Sequence, residues 1–354
     1  MKNLKILIGG SSTFFFHLKE FSNTLNKLGV ESKLVFDADY SDGFPSRKIG
    51  TWFQKSKKFT KLIEEFKPDA IFVDRQRHFG IDALKANIPL FVLLRGHYWS
   101  EINWNKKTIY KSLPKRIALQ QWDKLGKEIF NGATAILPIC KYLEKITNEF
   151  VPGKSTSVFS EGVDASKWYK VKGMNLKHPC VGLLQRANWW GKTSEMLVLK
   201  NVLEKMPNTH FYWAGDGPLR ERVLSELDQY DNFHWLGNLQ YPDKVREYLS
   251  EIDVYALITG MDLASLTLKE AQLMKKPVVA TNVGGNQEMM IDGKTGFLVQ
   301  QGNHEQLIDK FSLLLEDKDL SEKMGVEGRK FIEDTFNWEL VTKNFIKIIQ
   351  SYLK

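Results

Sequence analysis

The strongest constraint on this chain is its repeated alternation of short, mostly apolar runs with longer segments of helical periodicity. Strand-like segments occupy residues 4–8, 31–36, 70–73, 90–94 and 134–137, mostly apolar although 31–36 opens with Glu-Ser-Lys, and a helix-like segment over 14–28 ends at Gly29. Runs without polar interruption suit strands buried on both faces, which need helices on either side of a parallel sheet. A second series follows the polar, basic stretch 169–179. Its apolar runs are 180–184, 210–214, 233–236, 254–258, 277–280 and 296–299, with helix-like segments at 219–227, 243–250 and 265–274. At 354 residues the chain exceeds one ordinary core. The expectation is an α/β protein of two doubly wound, Rossmann-like domains. The first covers 1–168 and takes back a closing helix at 337–354; the second covers 174–336. Open parallel sheets bind ligands beyond the carboxyl ends of their strands. Two such domains facing a central cleft are expected to place a site there.

Composition narrows the class. A hydrophobic fraction of 43% and a charged fraction of 26% belong to soluble globular proteins. The apolar N-terminal run stops at Gly9-Gly10, too soon for a secretion signal or a membrane span, and no later run nears ~18 uncharged apolar residues. Cys140 and Cys180 form no metal or redox spacing, which points to a reducing compartment, the cytoplasm. The net charge of +8 is uneven: residues 1–165 hold 26 Lys+Arg against 17 Asp+Glu. The excess is concentrated at 45–61 and 98–124, where Trp99, Trp104, Tyr110 and Trp122 interleave with Lys106, Lys107, Lys111, Lys115 and Arg116. That mixture suits an anionic membrane surface or a phosphorylated acceptor. No nucleic-acid motif accompanies it, so nucleic acid is not expected as a partner.

The most informative segment runs from Val254 to Val299. An apolar run opens into the loop 259–264, then a helix that Ser265 can cap. The first N–H groups of that helix, near Leu266, and its positive dipole end suit phosphate oxygens. Glu270, about one and a half turns in, offers two acceptor oxygens to the vicinal hydroxyls of a ribose. After it come Lys276-Pro277, Gly284-Gly285, Glu288 and Asp292-Gly293-Lys294-Thr295-Gly296. The segment DLASLTLKEAQLMKKPVVATNVGGNQEMMIDGKTGFLV resembles the donor-binding region of retaining glycosyltransferases of family 4, which have the GT-B fold. That family places two glutamates with seven residues between them. Here the second is Glu270 and the first position is Asp262, one methylene shorter. The resemblance continues at 214–219, at Trp235-Leu236-Gly237-Asn238, at 251–254, and at 160–164, where Glu161 replaces a usual Asn.

The resemblance implies roles for individual residues. Arg186 and Lys192, in QRANWWGKT, would bind the donor diphosphate, with one residue more between them than is common. Two cations at a strand's carboxyl end would neutralise the leaving group. Gly237 would lie beside the base, and Gly9 and Gly10 would let backbone approach the diphosphate and sugar. His97, in LLRGHYW, matches a position where the family often has a histidine beside the transferring sugar. Arg95 and Trp99 are acceptor candidates. Asp262 would hold a sugar hydroxyl. No metal or other cofactor is expected, because fixed cations take the metal's place. The implied activity is transfer of a hexose-type sugar from a UDP- or GDP-linked donor to a glycan or lipid-linked acceptor. A nucleotide-sugar epimerase of the same fold, or a degenerate transferase that binds sugar or lipid without turnover, remain alternatives. Asp37-Ala38-Asp39 spells the DxD pattern of metal-dependent transferases of another fold; it stands without the rest of that pattern and is set aside.

Overall fold

The computed structural model describes residues 4–12, 15–45 and 57–353. The chain divides into two compact units, Met1–Gly162 with Trp338–Lys354, and Val163–Asn337. Most of the basic stretch 45–61 and Phe14 lie outside the described residues. Among the described residues no helix is long and apolar enough to cross a membrane.

The first unit holds five strands: β1 (Lys5–Gly10), β2 (Glu31–Phe36), β3 (Ala70–Asp74), β4 (Leu90–Leu94) and β5 (Ala135–Pro138). They pair in parallel in the order β2-β1-β3-β4-β5. Ile6, Leu7, Ile8, Phe72 and Phe91 are fully buried, as unbroken apolar runs require. The helix Phe15–Lys27 buries Leu18, Phe21 and Leu25, spaced to fall on one face. The closing helix, Trp338–Tyr352, buries Trp338, Val341, Phe345 and Ile349. Phe345 stands edge-on to Phe21 and Phe72, with ring centroids 4.8 and 5.2 Å away. Burying one such ring is worth about 2–3 kcal/mol, so this last helix is part of the first unit's core.

The second unit holds β6 (Cys180–Leu184), β7 (His210–Ala214), β8 (Phe233–Gly237), β9 (Val254–Leu257), β10 (Val278–Thr281) and β11 (Gly296–Val299). The order is β11-β10-β9-β6-β7-β8, all parallel. Alternate residues feed two apolar clusters: Val181, Phe211, Trp213 and Ala256 enter one, and Cys180, Tyr212, Ala214 and Tyr255 the other. The strand order reverses between β6 and β9, so the loops leaving their carboxyl ends lie side by side; this is where open α/β sheets bind ligands.

Residues 163–168, expected with the first unit, pack with the second. Val163 and Trp168 join one of its apolar clusters. The Arg329 guanidinium donates to the Trp168 carbonyl at 2.8 Å. The polar stretch 169–179 therefore lies inside this unit, and the boundary precedes it.

Candidate functional site

Three loops of the second unit meet at the carboxyl ends of β6, β7 and β9. Gln185, at the end of β6, is buried and donates from Nε2 to the Ile258 carbonyl at 2.9 Å, tying the ends of β6 and β9 together. Its backbone oxygen accepts from the Trp213 indole at 2.9 Å. Gly215 sits so close that a Cβ would fall 2.0 Å from that same oxygen. Gly260 meets the next loop equally closely: its N–H donates to the Lys192 carbonyl at 3.0 Å, and a Cβ would fall 2.2 Å from the Gly191 carbonyl. Gly284 has φ +56°, and a Cβ there would fall 1.9 Å from the Asp262 carbonyl. The Gly285 N–H donates to that carbonyl at 2.9 Å. The glycines of this region are thus needed for backbone-to-backbone contact, and together they fix the loop that carries Asp262.

Within this frame the candidate residues fall into distinct environments. Arg186 is exposed at the end of β6 and has no charge partner among the described residues. Lys192 forms an ion pair with Asp262. The resemblance implies separate tasks for Lys192 and Asp262, on the diphosphate and on a sugar hydroxyl; the structure brings the two side chains together. Ser265 caps the helix Leu266–Leu273, its hydroxyl accepting from the Leu268 N–H at 3.4 Å. Thr267 receives a hydrogen bond from the Tyr255 hydroxyl at 2.7 Å, bracing the first turn against β9. Gly237 ends β8 with φ +73°, its carbonyl accepting from the Gly215 N–H at 2.7 Å.

Glu270 is 1% exposed, although a carboxylate in mid-helix ordinarily faces water. Burial raises its pKa to about 8, opposed by a hydrogen bond from the Tyr241 hydroxyl to Oε1 at 3.1 Å. At neutral pH the carboxyl is therefore held mainly in its protonated form. Tyr241 was missed by sequence reasoning: it lies 29 residues upstream, and no local pattern links the two.

In the first unit the candidates serve structure as well. A Cβ on Gly9 would fall 2.8 Å from the buried Phe79 ring, so packing favours glycine there; one on Gly10 would meet only the tip of Leu18, at 2.3 Å from Cδ1, which can turn aside. His97 lies just before the helix Tyr98–Lys107 and caps it, Nδ1 accepting from the Ser100 N–H at 3.3 Å. Burial lowers its pKa, and the proton of the neutral ring therefore sits on Nε2. Trp99 stacks on Phe150 at 4.6 Å between centroids, beside a cavity of about 480 Å³ that Asp123, Lys127 and Asn131 also line. Arg95, an acceptor candidate by sequence, is 5% exposed in its side chain and lies between Asp74, at 2.6 Å, and Glu161. Its charge is spent internally, so it is placed to hold the ends of β3 and β4 to the 161 loop. In the DxD pattern, Asp37 is buried near Arg77 while Asp39 faces solvent, so the two do not form a chelating pair.

Comparison with known proteins follows the same division. Residues 180–317 match the family model described as Glycosyl transferases group 1. A sulfoquinovosyl transferase of Arabidopsis thaliana is 30% identical over 155 residues, which cover 43% of this chain and 30% of that protein. The chain thus spans less than a third of that relative's length. A sucrose-phosphate synthase from Thermosynechococcus elongatus has a TM-score of 0.75 at 14% identity, covering 98% of each chain. The Anabaena protein HepE, solved with UDP and glucose, has a TM-score of 0.67 at 15% identity, covering 98% of this chain and 100% of that one. Those two likenesses concern the fold. Through residues 180–317 the second unit is thus similar to the glycosyl transferases group 1 family, and the chain shares the GT-B fold of the solved glycosyltransferases.

Proposed function

We propose that this protein is a retaining, metal-independent glycosyltransferase. It moves a hexose-type sugar from a UDP- or GDP-linked donor to a hydroxyl of a glycan or lipid-linked acceptor. The observation that carries this reading is the cluster at the switch point of the second sheet, where Arg186 and the Lys192–Asp262 pair lie on adjoining loops and buried Glu270 sits on the helix that follows Asp262. The exposed Arg186 and the capped helix N-terminus at Ser265 and Leu266 meet the charge of a leaving diphosphate. A diphosphate competes for Lys192, releasing Asp262 to accept from a sugar hydroxyl. Glu270 takes the ribose diol, exchanging its proton for two donated hydrogen bonds. HepE, solved with UDP and glucose, supports a nucleotide-linked hexose as the ligand class.

The membrane-surface reading is supported by Ile109, Leu113 and Ile117, which are exposed beside exposed Lys111, Lys115 and Arg116. Exposed aliphatic side chains among lysines suit insertion at an anionic bilayer surface. On this reading the protein works in the cytoplasm, peripheral to the inner face of the membrane. Sedimentation with anionic vesicles tests it, and equal recovery with neutral and anionic vesicles removes the idea.

The donor assignment is tested by calorimetry with a panel of UDP- and GDP-sugars in chelator, on wild type and Glu270→Ala. Binding of one donor by wild type and its loss in the variant are expected. Binding that requires a divalent metal, or that ignores Glu270, refutes the site. Donor binding with neither transfer nor hydrolysis would favour the non-catalytic alternative.

A further inference from the structure

The opposite end of the second sheet carries a second cluster of chemically active side chains. We propose that His178, Cys180 and Asp253 form a binding site for a borderline-soft divalent cation, zinc foremost. Cys180 opens β6 and Asp253 immediately precedes β9, and these strands are neighbours. Their backbones hold the two side chains together. The Cys180 N–H donates to Asp253 Oδ2 at 2.8 Å, and the Asp253 N–H donates to the Cys180 carbonyl at 3.2 Å. His178, two residues before Cys180, brings Nδ1 to 2.8 Å from Asp253 Oδ2 and 3.6 Å from Cys180 Sγ. The three ligand atoms lie within 4.8 Å of one another, the one such group among the described residues.

The spacing fits a tetrahedral ion. With Zn–S of ~2.3 Å and Zn–N of ~2.0 Å, a tetrahedral angle separates sulfur and nitrogen by about 3.5 Å. The observed separation is 3.6 Å. The nitrogen–oxygen edge must widen from 2.8 Å to roughly 3.4 Å, a small swing for the exposed His178 ring. The ring's far nitrogen, Nε2, lies 3.0 Å from Glu251 Oε1. A carboxylate on the distal nitrogen is the usual support of a metal-bound histidine, because it fixes the ring and leaves the other nitrogen for the ion. One nitrogen, one sulfur and one carboxylate oxygen leave the fourth position to water. Binding replaces the Cys180 thiol proton and the Nδ1 proton shared with Asp253, so up to two protons are released per ion. Lys276, whose charge opposes a cation here, is engaged by the carbonyls of Ser250 at 3.1 Å and Ile252 at 2.6 Å.

The ion would clamp the segment entering the second unit onto β6 and β9. Gly173 already lies so close that a Cβ would fall 1.8 Å from Glu251 Oε2. Because the cluster is at the amino ends of the strands, its loading does not depend on the donor site, and its failure would leave the proposed activity untouched.

The test uses the full chain, stripped with a chelator and titrated with Co²⁺ alone, then with Zn²⁺ as competitor. A tetrahedral visible spectrum with a thiolate-to-cobalt band is expected, displaced by one equivalent of Zn²⁺. Cys180→Ser should abolish the thiolate band, Cys140→Ser should retain it, and His178→Gln should weaken binding at least tenfold. An octahedral spectrum without the band, or a band that survives Cys180→Ser, overturns the site. If Cys180→Ser fails to fold, exposed His178→Gln decides alone: unchanged affinity overturns the proposal.

Discussion

Replacing Glu270 by Gln removes one ionisation from the core of the second unit while keeping nearly the same shape. In the folded chain the carboxyl holds its proton up to about pH 8; its ordinary value is 4.5. Between these values the unfolded chain binds fewer protons than the folded one, so stability falls as pH rises. The contribution is fully present below about pH 4.5 and lost as pH passes 8. The slope within the window approaches 1.4 kcal/mol per pH unit, and the whole interval is worth on the order of 4–5 kcal/mol. Gln is neutral throughout and shows no such loss. Urea unfolding of both proteins from pH 5 to 9 isolates the effect, because every other titrating group cancels in the difference. Glu270→Gln should overtake wild type near neutrality and gain about 1.4 kcal/mol per unit until the curve levels above pH 8. A difference curve flat across this range would mean that Glu270 is already ionised in the folded chain. Its burial would then have been misjudged, and the proton exchange invoked for ribose binding would fall with it.

Three further outcomes follow from the contacts described. Arg95→Ala removes the guanidinium that faces Asp74 and Glu161 and should cost about 3–5 kcal/mol of stability; a loss below 1 kcal/mol in urea unfolding would contradict the buried triad. Gly284→Ala places a methyl against the Asp262 carbonyl at φ +56° and should destabilise by at least ~2 kcal/mol; a neutral substitution would show that the loop is free to relax. Asp262→Asn should reduce turnover by on the order of 100-fold with nucleotide binding retained, and unchanged transfer kinetics would remove Asp262 from the site.

The strands were legible because a parallel sheet buried on both faces writes itself as unbroken apolar runs. β4, β6, β7 and β11 begin and end where those runs do; β2 matches its expected bounds too, although Glu31, Ser32 and Lys33 make it a half-exposed edge strand. Glycine positions were legible as places of close approach, though Gly9 answers first to Phe79. What stayed hidden depends on pairing between distant segments. Nothing near Arg95 announces Asp74 or Glu161, 21 and 66 residues away. Lys192 and Asp262 lie 70 residues apart, so two cations in one loop read as a matched pair when only Arg186 is unengaged. Cys180 carried no metal spacing as a cysteine among cysteines. Its neighbours in space are a histidine and an aspartate, and the aspartate arrives from the next strand but two in sequence.

The first unit's core is closed by a helix that the ribosome makes only after the whole second unit. Phe21, Phe72 and Phe159 emerge early, yet Phe345, which stands among them, follows the entire second unit. The second unit is an uninterrupted stretch whose two ends are already joined, the Val163 N–H donating to the Phe336 carbonyl at 2.8 Å. During synthesis the later half can therefore fold as soon as it emerges, while the earlier half waits with an aromatic cluster uncovered. The half made first is completed only after the second unit has been made, and until then its aromatic surface is the most exposed to aggregation.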